Sequence, residues 1–120
     1  MMLIPALYTK TLVYNVGTSS TFYVHFNPKH PLYSGHFPEM PVTPGICLIQ
    51  AASEALQEAV GSSLRLAEAR QIKFLQMHSP ENHLRFELSW GDVFKRLRGR
   101  ISIFQDNKCI AKIDALFERT

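Results

Sequence analysis

The chain has 120 residues and a formal net charge of +3, with 46% hydrophobic and 19% charged residues. This length suits one domain with one core, and the composition excludes disordered, collagen-like and coiled-coil proteins. Two cysteines are too few for a disulfide scaffold. No apolar run reaches the roughly 20 residues that cross a bilayer. We therefore expect a single domain over residues 1–120 with no membrane partner.

The N-terminal eight residues are apolar, but they lack the basic region and the cleavage site of a signal peptide. This predicts a cytoplasmic protein. The mildly basic charge favours an acidic partner, although no nucleic-acid-binding motif accompanies it, so we expect no nucleic acid partner. The cysteines form no CxxC pair, and the five histidines show no metal-ligand spacing with them. We expect neither a metal nor another cofactor.

The first predicted elements are two strands and an ordered loop. Residues 9–16 and 21–27 are rich in Thr, Val, Tyr and Phe, and they flank a Gly-Thr-Ser-Ser turn, as in a hairpin. Residues 28–44 contain five prolines. A regular helix cannot pass through them, so we expect a loop of the kind that often carries function.

One helix is predicted next. Thr43 fits its N-cap, Pro44 its first helical position and Gly61 its end. The residues between them are apolar around nearly the whole circumference. A helix of this kind is buried, which predicts a central helix wrapped by a sheet.

Four strands are predicted after the helix, because apolar and polar residues alternate in the second half of the chain. Their segments are 64–77, 84–89, 93–104 and 109–118. Trp90-Gly91-Asp92 is expected to end the second of them, and a turn at 78–82 is expected to leave His78 and His83 exposed. The order strand, strand, helix and four strands indicates an α+β domain whose antiparallel sheet curls around one helix.

The sharpest local feature is the string SGHFPEMPVTPGICL at residues 34–48. It resembles the signature of the FabZ/FabA family of 3-hydroxyacyl-acyl carrier protein dehydratases. His36-Phe37-Pro38, Pro41 and Pro44-Gly45 fall at the family's spacing, immediately before an apolar helix. The similarity extends over roughly residues 20–118. It implies the hotdog fold, a curved antiparallel sheet around one central helix.

The resemblance implies a role for each matching residue. His36 would be the catalytic base, because a neutral imidazole can accept a proton near pH 7; a loop histidine bonded to backbone is the alternative. Gly45, near the second helical position, would donate its free N–H to the thioester carbonyl, or serve only close packing. Phe37, Tyr33 and Pro44 complete the expected substrate-binding set, with ordinary loop packing as the alternative for Tyr33.

One position departs from the family pattern. The dehydratases carry Glu or Asp five residues after the glycine, and the matching residue here is Gln50. Glu54 lies one turn later on the same face, where the Glu-type enzymes commonly have Gln. Gln50 can orient the leaving hydroxyl but cannot donate an acid proton. Glu54 is then either a relocated general acid or a structural carboxylate, paired or exposed.

A basic stretch in the predicted fifth strand places Arg96, Arg98 and Arg100 on one face. One interpretation is a solvated outer face of the sheet. The other is a docking surface for an acidic acyl carrier protein or for the phosphates of coenzyme A.

The function that the resemblance implies is a hydro-lyase. It would convert 3-hydroxyacyl thioesters on acyl carrier protein to trans-2-enoyl thioesters in fatty acid or polyene-type biosynthesis. In this family the site lies at a dimer interface, so we expect a homodimer, a dimer-based oligomer or a heterodimer with an acid-bearing hotdog chain. Two alternatives stay open: a hotdog acyl-thioesterase that uses Glu54 to activate water, and a non-catalytic acyl-binding subunit that completes a partner's site.

Overall fold

The computed structural model describes residues 6–34 and 39–120. Within them, one α-helix packs on a curved six-stranded antiparallel sheet, in the predicted order of elements. The elements are β1 (Tyr8–Val16), β2 (Ser19–Phe26), a 3-10 turn (Pro31–Ser34), α1 (Gly45–Val60), β3 (Leu64–Phe74), β4 (Leu84–Val93), β5 (Arg96–Gln105) and β6 (Lys108–Arg119). The spatial order β1-β2-β4-β5-β6-β3 makes β1 and β3 the edges of the sheet.

Strand β4 does not end where the sequence predicted. It continues through Trp90-Gly91-Asp92, because this segment keeps its pairing with β5, with Trp90 opposite Gly99. The hairpin closes through Phe94 and Lys95, and Phe94 takes a positive φ of 57°. A break predicted from local composition is therefore overridden by the ladder of the neighbouring strand.

A row of inward side chains crosses the whole sheet. In register, it consists of Leu12, Phe22, Phe86, Ile103, Ala111 and Phe74. Its central members are fully buried, and each large one stabilises the fold by about 1.5–3 kcal/mol. The row ends at Phe74, the last residue of edge strand β3, which is 48% exposed. This end of the row lies beside the start of α1.

Helix α1 buries one stripe instead of its whole circumference. The buried residues are Leu48, Ala51, Ala52, Ala55 and Leu56. Ile46 is 69% exposed and Gln50 is also exposed. The prediction of a helix buried all round was wrong for the single chain, because the sheet covers only one side of the helix.

The ends of α1 are set by backbone geometry. Gly61 ends the helix in the left-handed conformation (φ 78°), as predicted, and its N–H donates to the Gln57 carbonyl at 2.9 Å. At the other end Pro44 occupies the cap position and Gly45 is the first helical residue. The prediction of Thr43 as N-cap was wrong, because its hydroxyl is hydrogen-bonded elsewhere. None of the described helices is long and apolar enough to cross a membrane.

Candidate active site

Of the predicted site residues that the structure describes, all but Tyr33 line one of two cavities on α1 or lie in a row on the outer face of the sheet. His36 and Phe37 lie outside the described residues. The substrate-binding and catalytic candidates on or next to α1 lie in two different cavities. Gly45 and Pro44 line the first cavity, and Gln50 and Glu54 line the second.

The first cavity, here called the Gly45 cavity, has a volume of about 540 Å³ and is lined by residues 42–45, Leu48 and residues 74–78. Gly45 is the first residue of α1, so its N–H is one of the four that have no intrahelical acceptor. The ring of Phe74 covers the glycine closely. The cavity wall therefore carries an N–H that has no acceptor within the helix, at the positive end of the helix dipole. Apolar side chains line much of the rest of the wall. Such a wall suits an apolar molecule that carries an anionic oxygen.

A buried chain of hydrogen bonds supports the same cavity. Tyr33 Oη lies 2.7 Å from Thr43 Oγ1, Thr43 Oγ1 lies 2.8 Å from His78 Nδ1, and His78 Nε2 lies 2.7 Å from the Asn82 carbonyl oxygen. A carbonyl only accepts, so Nε2 carries the proton and Nδ1 accepts from Thr43, which in turn accepts from Tyr33. Tyr33 is thus a buried side chain, and its link to the cavity is the hydrogen bond to Thr43.

His78 is 1% exposed, so the prediction of an exposed turn histidine was wrong. Burial is the largest influence and lowers the pKa of His78; the hydrogen bond to the Asn82 carbonyl opposes this shift, and the nearby His25 adds to it. The neutral ring can therefore hold both hydrogen bonds. No local pattern in the sequence revealed this role, because the partner hydroxyl of Thr43 is 35 residues away.

The second cavity, here called the Glu54 cavity, has a volume of about 550 Å³ and is lined by residues 6–10, Cys47, Gln50 and Glu54. Gln50 Nε2 donates to Glu54 Oε1 at 3.3 Å. The Tyr8 hydroxyl donates to Glu54 Oε2. Burial raises the pKa of Tyr8, and the Glu54 carboxylate raises it further, so Tyr8 keeps its proton. Burial also raises the pKa of the Cys47 thiol, which disfavours a nucleophilic thiolate.

The two cavities lie on different faces of the helix. Gly45 and Glu54 are nine positions apart, which at 3.6 residues per turn is about half a turn around the axis. The two residues therefore lie on opposite sides of the helix and line separate cavities of one chain.

The three arginines lie on the face of β5 opposite the core, and each is paired with an acid. Arg98 binds Asp114 through two hydrogen bonds of 2.9 and 2.7 Å, and Arg100 reaches the same carboxylate at 3.9 Å. Arg96 pairs with Glu118 at 3.2 Å. The hydrogen bonds from Arg98 lower the pKa of Asp114. Part of the basic charge is thus neutralised within the sheet, and Arg100, 60% exposed in its side chain, is the most accessible.

Comparison with known proteins shows the family to which the chain belongs. The chain belongs to the ApeI-like dehydratase family, whose model matches residues 14–113. The curated 3-hydroxyacyl-[acyl-carrier-protein] dehydratase FabZ of Roseobacter denitrificans is 29% identical over 101 residues, which cover 80% of this chain and 66% of that relative. The chain thus spans slightly less than two thirds of the length of that relative.

Solved structures confirm the predicted hotdog fold. The dehydratase heterocomplex ApeI:P from Xenorhabdus doucetiae aligns with a TM-score of 0.73 at 17% identity, over 92% of this chain and 99% of that one. A hypothetical thioesterase with coenzyme A from Streptococcus pneumoniae TIGR4 aligns with a TM-score of 0.74 at 8% identity, over 93% and 86% of the two chains. At these identities the likeness concerns the fold alone.

Proposed function

We propose that this chain dehydrates 3-hydroxyacyl thioesters carried by acyl carrier protein, giving trans-2-enoyl thioesters, and that it does so in a dimer of hotdog chains. Membership of a dehydratase family supports the reaction class. The observation that carries the proposal is the separation of the Gly45 and Glu54 cavities on opposite faces of one helix. A site shared between two chains accounts for this separation, because one chain would then supply the Gly45 half and the other would supply Glu54.

Each residue has a defined task in the proposed reaction. His36 removes the proton at Cα, which the neighbouring thioester acidifies. The N–H of Gly45 stabilises the negative charge that develops on the thioester oxygen. Gln50 orients the leaving hydroxyl, and Glu54 of the second chain delivers the proton with which it leaves as water. Phe37 and Pro44 contact the acyl thioester.

The exposed edge of the sheet at β3 supports the proposal that the partner is a second hotdog chain. Strand β3 has no neighbour on its outer side within the described residues. Exposed apolar side chains lie along and beside it: Leu66, Phe74, Leu75, Met77 and Ile46. Such an edge is protected when another strand pairs with it. Because Gln50 replaces the usual acid, we propose that the partner is either a copy of this chain or an acid-bearing sister chain.

The test measures turnover of 3-hydroxyacyl-acyl carrier protein through the change in mass of the carrier-bound substrate. Wild type is run beside His36→Ala, Glu54→Gln and Gln50→Glu, alone and mixed with a sister hotdog chain. Loss of 18 Da (one water) that both His36→Ala and Glu54→Gln abolish supports a dehydratase with a relocated acid. Activity only with the sister chain, or only in Gln50→Glu, supports a partner subunit.

Thioester hydrolysis is the second candidate, and the hydrogen bonding of Glu54 favours it. Both oxygens of the Glu54 carboxylate accept hydrogen bonds, and Tyr8 keeps its own proton. A carboxylate held in this way can accept a proton from water that attacks the carbonyl. Release of free thiol from an acyl thioester, without loss of water, would establish this activity and exclude the dehydratase.

A further inference from the structure

Strand β1 is attached to α1 at two successive inward positions. The Tyr8 hydroxyl donates to Glu54 Oε2, and Lys10 Nζ pairs with Glu58 Oε1 at 2.7 Å. Two residues of a strand advance about 6.6 Å and four residues of a helix about 6 Å, so the two registers match. The second attachment is an ion pair between Lys10, at the rim of the Glu54 cavity, and Glu58, which is not among the lining residues. The first reaches directly into that cavity.

The Tyr8 side chain is held rigidly. Its ring lies 5.4 Å from that of Phe26, centroid to centroid, and Phe26 is fully buried. The backbone beside it is also fixed, because the Leu7 carbonyl accepts the N–H of Asn27 at 2.8 Å. The phenol is therefore a donor at a fixed place, and loss of the hydroxyl alone would leave the ring packing intact.

The other partner of Glu54 holds it less firmly. Gln50 is exposed, and its amide reaches Glu54 Oε1 at the long distance of 3.3 Å. A substrate hydroxyl can displace this contact, whereas Tyr8 keeps Oε2 bound on the strand side. The two oxygens of the carboxylate are thus unequal. Oε2 is anchored by Tyr8, and Oε1 holds only the weaker contact with Gln50.

We propose that Tyr8 is a positioning residue for Glu54, which orients the carboxylate so that Oε1 faces the substrate in the cavity. This inference rests on the proposed function. In the dehydration, the C3–O bond breaks and the leaving hydroxide takes the proton of Glu54 Oε1, while the Cα proton passes to His36. The charge left on Glu54 is stabilised at Oε2 by the hydrogen bond from Tyr8, which keeps its own proton. Transfer of one proton from His36 to Glu54 through solvent restores both groups.

The kinetic test compares Tyr8→Phe with Glu58→Gln, in the active form of the assembly. Tyr8→Phe should lower kcat about 10- to 100-fold with KM changed less than about threefold, since the variant binds substrate but delivers the proton poorly. Glu58→Gln breaks the other attachment of β1 from outside the cavity lining and should leave kcat within about threefold of wild type. Equal loss in the two variants would show that Tyr8 serves only to attach the strand, and a pure rise in KM would also overturn the proposal.

A second readout needs no activity. Tyrosinate absorbance is titrated in wild type, Tyr8→Phe and Glu54→Gln, and the signal missing from Tyr8→Phe is assigned to Tyr8. Glu54→Gln should move this ionisation to lower pH, because the carboxylate that opposes it is gone. An unmoved titration would overturn the contact. If Tyr8→Phe turns over substrate at the wild-type rate, this inference alone is wrong. If no assembly dehydrates the substrate, the proposed function is wrong, and this inference is wrong with it.

Discussion

The ring of Phe74 lies so close to Gly45 that a Cβ on the glycine would be 2.6 Å from Phe74 Cζ. This contact joins the end of edge strand β3 to the first residue of α1. Both residues line the Gly45 cavity. The identity of residue 45 therefore controls the shape of the cavity as well as the start of the helix.

Gly45→Ala should change turnover more than stability. The half-exposed ring can swing away from the new methyl group, and alanine favours a helix over glycine, so the free energy of unfolding should change by less than about 1 kcal/mol. Turnover should fall because the displaced ring enters the cavity. Urea unfolding and turnover measure the two effects. The double variant with Phe74→Leu should recover activity; if it stays as impaired as Gly45→Ala, the ring is not the cause.

Gly99→Ala should be destabilising, because this glycine is enclosed. Its Cβ would lie 2.7 Å from Leu56 Cδ2 and 3.1 Å from Phe117 Cε1 in the core. We expect a loss of about 1–3 kcal/mol in urea unfolding. Gly91→Ala is the matched control, since nothing lies within 4 Å of its added Cβ. In a double-mutant cycle with Leu56→Ala, the two losses should be less than additive; full additivity would argue against the clash.

His78 should make stability depend on pH. Burial lowers its pKa below the ordinary 6.5, so the unfolded chain binds this proton more readily than the folded chain. Its neutral form thus supports the fold fully above about pH 6.5, and stability should fall as the pH drops below that value. His78→Leu should be less stable at pH 8, because Thr43 loses its acceptor, yet should show a flatter slope between pH 7.5 and 5. His83→Gln, exposed nearby, should keep the wild-type slope.

Two inactive variants should complement each other if the site is shared. In a mixture of His36→Ala and Glu54→Gln, half of the dimers are mixed, and each mixed dimer keeps one intact site. After subunit exchange, turnover should return to about a quarter of the wild-type value. Mixing His36→Ala with Gly45→Ala is the control, because both changes affect the same half. Failure of the first mixture, with exchange verified by mass, would contradict a site built from two chains.

Arg100 should affect carrier recognition more than chemistry. It is the most exposed of the three arginines and has the weakest acidic contact. We propose that it docks an acidic carrier, so Arg100→Glu should raise KM for the carrier-bound substrate about 3- to 10-fold at low salt, with kcat unchanged. Arg85→Glu, on the same outer face, is the matched control. An equal change in both variants, or in neither, would remove this docking surface.

The order of strands and helix along the chain and the helix end at Gly61 could be predicted from local patterns, because each depends on neighbouring residues. The wrong predictions concern contacts between distant segments. Thr43 looked like a cap, but its hydroxyl serves a histidine 35 residues away. Trp90-Gly91-Asp92 looked like a break, but the register of β5 keeps it extended. The role of Tyr8 was not predicted. The available signal was the alternation along β1, which places Tyr8 and Lys10 on the same inward face of the strand. The role of Glu54 stays a prediction.

The division of the two cavities between opposite faces of α1 also bears on how such chains can diverge after gene duplication. A copy that loses its carboxylate half still offers a complete Gly45 half, and the reverse holds for its sister. If the site is shared as proposed, two such copies that associate keep one complete site, and the association then becomes indispensable to both. Replacement of the helix acid by Gln50 is the kind of change that this geometry tolerates in one member of such a pair.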